Sequence, residues 1–125
     1  MLLVDAANVF GSRPTGWWRD RPGAARDLVA RVRAATAASV LAPPVVVVLE
    51  GAGRQGAPEG EEGGVQVVHA PGEGDDTIAA LAEAGSAAGE LPVVVVTADR
   101  ALGERCRAAG AGVSRPRWLL DRIGT

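Results

Sequence analysis

Four aspartates stand where apolar runs of this 125-residue chain give way to polar sequence. Asp5 follows Leu2-Leu3-Val4, Asp75 and Asp76 lie in Glu73-Gly74-Asp75-Asp76-Thr77, and Asp99 ends Val93-Val94-Val95-Val96-Thr97-Ala98-Asp99. Carboxylates are hard oxygen donors and suit Mg²⁺ or Mn²⁺ with water completing the shell. Brought within a few ångströms of each other near a surface, they repel by roughly 1–4 kcal/mol per pair. A chain that gathers them usually supplies a cation. Such an ion orients a water, lowers its pKa and clamps a phosphate. Each aspartate also has a plainer use. Asp75, Asp76 and Asp99 would each stabilise the start of a helix as a cap. Asp5 resists that explanation, because no helix pattern is evident directly after its strand.

The elements that must position these residues follow from hydrophobic periodicity. Leu2-Leu3-Val4 reads as a first strand. Asp20 and Pro22 signal a helix start, after which Ala25, Leu28, Val29, Val32 and Ala35 fall on one face and Asp27 pairs with Arg31 on the other. Pro43-Pro44 closes the connection, and Val45 to Leu49 is a strand apolar throughout, hence buried on both faces. The stretch 51–64 reads as a Gly-, Pro- and Glu-rich loop. Val65 to His69 is a third strand, made partly polar by Gln66 and His69. A helix over 75–88 turns Ile78, Leu81 and Ala82 inward, and Val93 to Val96 is a fourth strand. A helix over 100–109 carries Leu102, Cys106 and Ala109 on one face and stops at Gly110. Val113 marks a fifth strand, and Trp118, Leu119 and Ile123 belong to a last helix.

This alternation predicts a single α/β domain over 1–125, with a parallel five-stranded sheet covered on both faces. Polar strands belong at edges, which favours the spatial order 3-2-1-4-5 over 2-1-3-4-5. Ligands of such sheets bind at the carboxyl ends of strands where the order reverses. That point lies between strands one and four. Asp5 and Asp99 therefore arrive side by side, and right-handed crossover brings Asp75 to the same rim.

The bulk properties narrow the partners. The net charge is −2 and every one of the 13 basic residues is arginine, so no global basic footprint for nucleic acid exists. The single cysteine, Cys106, cannot form an internal disulfide and reads as a small buried hydrophobe. No apolar run reaches the roughly 20 residues that span a bilayer. Met1-Leu2-Leu3-Val4-Asp5 lacks the basic start of a signal peptide, so a cytoplasmic location is expected.

Three segments together resemble the PIN-like NYN ribonuclease family, in particular its YacP-like branch. They are Asp5-Ala6-Ala7-Asn8 after strand one, Gly74-Asp75-Asp76-Thr77-Ile78 at a helix start, and Val96-Thr97-Ala98-Asp99-Arg100 after strand four. The resemblance covers nearly the whole chain. It implies a PIN-like 3-2-1-4-5 sheet and metal-dependent hydrolysis of RNA phosphodiesters, with Mg²⁺ or Mn²⁺ held by Asp5, Asp75 and Asp99. Asp75 precedes Ile78 by three residues, as the family's aspartate precedes its aliphatic residue; Asp76 is the alternative ligand. Asn8 matches the family's asparagine and would orient Asp5 or a water. Thr97 and Arg100 match its last motif and would contact metal, carboxylate or phosphate. Small PIN-like domains often dimerise, which makes a homodimer an expectation.

The segment Arg13-Pro14-Thr15-Gly16-Trp17-Trp18-Arg19 follows the first strand and should lie on the same rim. Aromatic rings stack on unpaired bases and arginines contact phosphates, so Arg13, Trp17 and Arg19 are candidate contacts to single-stranded RNA. The plainer alternative is that one Trp plugs the core and the other is partly exposed. His69 ends strand three near the rim, where a lone histidine is more often structural than catalytic. Gly51-Ala52-Gly53-Arg54-Gln55-Gly56 matches a dinucleotide-binding pattern, but Pro58, Gly60, Gly63 and Gly64 follow it in place of the required helix. The expected activity is metal-dependent endoribonucleolytic hydrolysis. The rivals are a nucleotide pyrophosphohydrolase on the same acidic site and a non-catalytic RNA-binding module.

Overall fold

The computed structural model describes residues 1–11 and 16–124, without the side chain of Trp17. Arg13 and the side chain of Trp17, both expected to touch RNA, lie outside the described residues. The element order is β1 (Leu2–Asp5), α1 (Ala6–Gly11), a 3₁₀ turn (Trp17–Arg19), α2 (Arg21–Ala37), β2 (Val45–Leu49), a second 3₁₀ stretch (Gly51–Gly56), β3 (Gly60–Glu62), β4 (Val65–His69), α3 (Gly74–Ala88), β5 (Val94–Val96), α4 (Arg100–Ala108), β6 (Gly112–Ser114) and α5 (Pro116–Ile123).

The sheet has six strands in the order β3-β4-β2-β1-β5-β6, not the expected five. It is also mixed rather than wholly parallel. Strands β4, β2, β1, β5 and β6 are joined by parallel ladders, and β3 adds an antiparallel edge to β4. The extra strand lies inside the segment read as a loop. Glu62 pairs with Val65 around Gly63-Gly64, and both glycines have positive φ, 61° and 84°. A two-residue turn with both central φ values positive matches the right-handed twist of the strands, and Gly-Gly adopts it without a Cβ penalty. The polarity of Gly60-Glu61-Glu62 hid the strand; all three are exposed at the sheet's rim, as an edge strand should be.

The alternation of side chains along each strand divides the core in two. Leu2, Val4, Val45, Val47, Val65 and Val67 face α1, α2 and α5, together with Val9, Leu28, Val29, Val32 and Leu119. Leu3, Val46, Val48 and Val95 face α3 and α4, together with Ile78, Ala82, Leu102 and Cys106. The three-layer form thus follows from strands that are apolar on both faces. Asp20 caps α2 by accepting from the Gly23 N–H at 2.9 Å, with Pro22 in the first turn. The 3₁₀ stretch lies directly on α2. A Cβ on Gly56 would meet the Pro22 carbonyl, the Ala25 Cβ at 2.7 Å and the Arg26 amide at 2.9 Å, so only glycine permits that approach. Of the dinucleotide-like glycines, Gly56 therefore serves backbone packing, and Gly51 supplies a positive φ of 55°.

Candidate active site

Period-two alternation places the polar groups at strand ends. Asp5 continues the face of Leu3, Thr97 that of Val95, and Glu50 that of Val46 and Val48. All three point to the α3–α4 side of the sheet at its carboxyl rim. β1 and β5 are neighbours, with Val4 opposite Val96. Asp5 and Thr97 therefore meet.

Asp5 is buried, with 3% of its surface exposed. Its Oδ2 accepts from Asn8 Nδ2 at 2.6 Å and from the Thr97 hydroxyl at 2.8 Å. The Thr97 hydroxyl in turn accepts from the Asp99 backbone N–H at 3.1 Å. One hydroxyl thus ties the end of β1 to the loop after β5. Burial pushes the Asp5 carboxyl above its ordinary value, against the hydrogen bonds from Thr97 and from the Asn8 side chain and backbone, and the nearby Glu50 charge adds to the rise. The Asn8 backbone bond shows that Asp5 also caps a helix. α1 begins at the next residue, contrary to the sequence-based expectation that no helix follows. Six residues ending in glycine are too short to leave a clear periodic signal.

Asp99 caps α4 through Oδ1, which accepts from the Leu102 N–H at 3.0 Å. Asp75 lies in the first turn of α3, half-buried. Its carboxyl is raised by burial first, then by the charges of Asp99, Glu50 and Glu73, with Arg105 acting the other way. Asp76 is turned elsewhere. It is exposed and paired with Arg105 of α4 at 3.0 Å. Between the two alternative ligands, Asp75 is the one electrostatically coupled to the rim.

Glu50 was not anticipated. It follows β2, is half-buried, and its Oε2 accepts from the Gly74 N–H at 2.8 Å, which fixes the start of α3. It acts on both Asp5 and Asp75. The signal was present in the sequence: Glu50 ends the Val45–Leu49 strand on the same rim as Asp5 and with the same parity as Val46 and Val48.

Four carboxylates, of Asp5, Glu50, Asp75 and Asp99, therefore share one rim. Among the described residues, no three His, Cys, Asp or Glu side chains already converge into a metal cage. The three-aspartate ligand set is thus not preformed. The donors are nevertheless all oxygen, one of them locked by two short hydrogen bonds, and their mutual repulsion is what a hard cation would relieve. Mg²⁺ characteristically keeps several waters and binds through one or two carboxylates, so the donor chemistry fits such an ion without a closed cage.

The remaining sequence candidates are placed as follows. Arg100 opens α4 next to Asp99 and is exposed. Arg19 lies 6.0 Å from the ring centre of Trp18, which is 56% exposed, ahead of α2. His69 Nε2 lies 2.7 Å from the Ala57 carbonyl and its Nδ1 lies 3.8 Å from Glu59, a structural tie to the loop before β3. Cys106 is buried, which pushes its thiol pKa up and leaves it unreactive. No helix among the described residues is long and apolar enough to cross a membrane.

No family model matches the chain, and no curated protein matches it. Among solved structures it is similar to Rae1 (YacP) from Bacillus subtilis. A single-site mutant of that protein superposes with a TM-score of 0.73 at 25% identity, covering 98% of this chain and 73% of that one. A second crystal structure of Rae1 (YacP) gives 0.67 at 20% identity, covering 98% and 72%, and shows likeness of fold alone. The YacP name coincides with the branch that the three sequence segments resemble.

Proposed function

We propose that this chain is a nuclease that hydrolyses RNA phosphodiesters with a Mg²⁺ or Mn²⁺ ion drawn to the rim of Asp5, Asp75 and Asp99, with Glu50 fixing the start of α3 beside them. The observation that carries this reading is the buried Asp5, held by Asn8 and Thr97 on the rim to which Asp99, Glu50 and Asp75 also belong. Likeness to Rae1 (YacP) supports the nuclease class.

When bound, the ion supplies Lewis acidity and a water of lowered pKa. The chain's own contribution is placement. The Thr97 and Asn8 hydrogen bonds fix Asp5 in one orientation before any substrate arrives. The Thr97 to Asp99 backbone bond holds the α4 start in register with Asp5. Glu50 holds the amide of Gly74 and thereby keeps Asp75 facing the rim. Burial raises the Asp75 pKa, the charges of Asp99 and Glu50 beside it raise it further, and a bound cation would relieve that repulsion.

The test is cleavage of a labelled single-stranded RNA with Mg²⁺ or Mn²⁺ by wild type, Asp99→Asn and Asp75→Asn, with thermal melting of each protein across an Mn²⁺ titration. Cleavage by wild type only, and Mn²⁺ stabilisation lost in the variants, is the expected result. Full activity in either variant refutes the reading. Faster turnover of free nucleotides than of RNA would favour the pyrophosphohydrolase; RNA binding without metal response or cleavage would favour the binding module.

A further inference from the structure

A second feature adjoins the acidic rim. A cleft of about 390 Å³ opens beside Asp99 between α4, β6 and the start of α5, and three arginines line it: Arg100, Arg107 and Arg115. Arg100, Gly103 and Arg107 are spaced i, i+3, i+7 along α4, which puts them on one stripe of the helix. The central member of the stripe has no side chain. A Cβ on Gly103 would lie 3.7 Å from Val113 Cγ1 and 4.0 Å from Arg107 Nη1, so a larger residue would fill the space among the arginines. Arg115 closes the far side as the residue before α5, whose N-terminus has no side-chain cap and adds positive potential.

Among the described residues Arg31, Arg33 and Arg105 stand in ion pairs, whereas Arg100, Arg107 and Arg115 do not. All three guanidiniums are on exposed residues. In a chain of net charge −2, this concentrates unneutralised positive charge beside the carboxylates. Guanidinium is the side chain best shaped to grip phosphate. Among the described residues no aromatic ring lines the cleft, so its described wall offers bases no stacking platform. What such a wall recognises is a backbone, and the volume suits one strand rather than a duplex.

We propose that this cleft holds the phosphates of a single RNA strand directly adjoining the acidic rim, gripping the backbone irrespective of base sequence. The inference rests on the nuclease reading only for what happens to the strand next. Single-strand binding loses about 0.7 in the slope of log K against log salt for each phosphate contact removed. Replacing Arg107 and Arg115 by Gln should therefore flatten the slope by roughly 1.4, so that the fall in affinity between 50 and 200 mM salt shrinks roughly sevenfold.

The experiment measures binding of a fluorescent single-stranded RNA across a salt series, with chelator present so that nothing is cleaved, for wild type, R107Q/R115Q and G103L. Cleavage with Mn²⁺ is scored separately on the same proteins, and melting confirms that the variants fold. The expected result is a flatter slope for R107Q/R115Q and weaker binding at every salt for G103L, which keeps all charges but fills the floor. An unchanged slope, wild-type affinity in G103L, no binding by wild type, or tighter binding of a duplex would each overturn the cleft, whatever the cleavage result. A slope that flattens as expected while wild type fails to cleave would uphold the cleft and defeat the nuclease reading.

Discussion

Replacing Thr97 by Val isolates the contact that joins the two halves of the acidic rim. The side chains are nearly equal in volume and Thr97 is 3% exposed, so the change removes a buried hydroxyl and little else. Two hydrogen bonds go with it, from Oγ1 to Asp5 Oδ2 at 2.8 Å and from the Asp99 N–H to Oγ1 at 3.1 Å. A hydrogen bond to a charged group contributes about 1.5–3 kcal/mol, and the Asp99 amide left behind costs about 1–3 kcal/mol if no water reaches it. The added methyl returns about 0.8 kcal/mol at most. The expected net loss near neutral pH is therefore about 2–5 kcal/mol, or roughly 6–20 °C in melting temperature for a domain of this size. The loss should also depend on pH. The folded pKa of Asp5 is already above its ordinary value, so its contribution to stability is fully present below the unfolded pKa and fades as pH rises through the folded one. The Thr97 bond lowers that pKa, so removing it raises the pKa further and extends the fading to higher pH. The gap between wild type and Thr97→Val should thus be smallest below about pH 4, where Asp5 is protonated in both, and widen toward neutrality. Urea melts at a series of pH values measure this. A gap of constant size across the range would refute the argument that Thr97 acts on the Asp5 carboxylate.

Asp75→Asn should raise the melting temperature of the metal-free protein at neutral pH, because burial and the Asp99, Glu50 and Glu73 charges disfavour the ionised form. That advantage should vanish below the unfolded pKa of Asp, about 3.9, where wild type is neutral too; a variant less stable than wild type at pH 7 would contradict the coupling. The same variant should lose the stabilisation that Mn²⁺ gives wild type, which by mass action is about 2.7 kcal/mol at a hundredfold excess over Kd. Gly56→Ala should lower the urea midpoint by an overpacking cost of about 1–3 kcal/mol, since its methyl would press on the α2 backbone. The native Cys106 thiol should react with a thiol reagent only as fast as the protein opens, so rapid labelling of folded protein would show that the α3–α4 face is looser than described.

The strands β1, β2, β4 and β5 were legible because fully apolar runs of Val and Leu have few other uses in a short domain. The long helix α2 announced itself by Asp20, Pro22 and a regular apolar face. Two elements were missed for opposite reasons. α1 is too short to show a period, and its cap is the same aspartate that ends β1, so one residue carried two signals. β3 is polar throughout because it is an exposed edge, and only the Gly63-Gly64 turn betrayed it. The consequence reaches the topology: an edge strand that pairs antiparallel makes the sheet six-stranded and mixed, where the apolar runs alone described five parallel strands.

The site was legible to the extent that it obeys the sheet's period of two. Asp5 and the Thr97–Asp99 segment end neighbouring strands, so their meeting follows from topology. Glu50 obeys the same rule on the next strand, but its pairing with the Gly74 amide depends on where α3 begins, which no local pattern specifies. The arginine cleft lies beyond the rule altogether. Its members come from α4 and from the turn before α5, and overall charge conceals them, because 15 acidic residues outnumber 13 arginines in the chain as a whole. Ion pairing at Arg31, Arg33 and Arg105 removes part of that positive charge from use, whereas among the described residues no ion pair engages Arg100, Arg107 or Arg115 next to Asp99. Net charge describes the field far from a protein. Within a Debye length of about 8 Å at physiological salt, the local arrangement decides what approaches. Here that arrangement sets a phosphate-seeking wall against a cation-seeking rim, an order suited to a strand whose backbone must be held on one side of the bond to be cut.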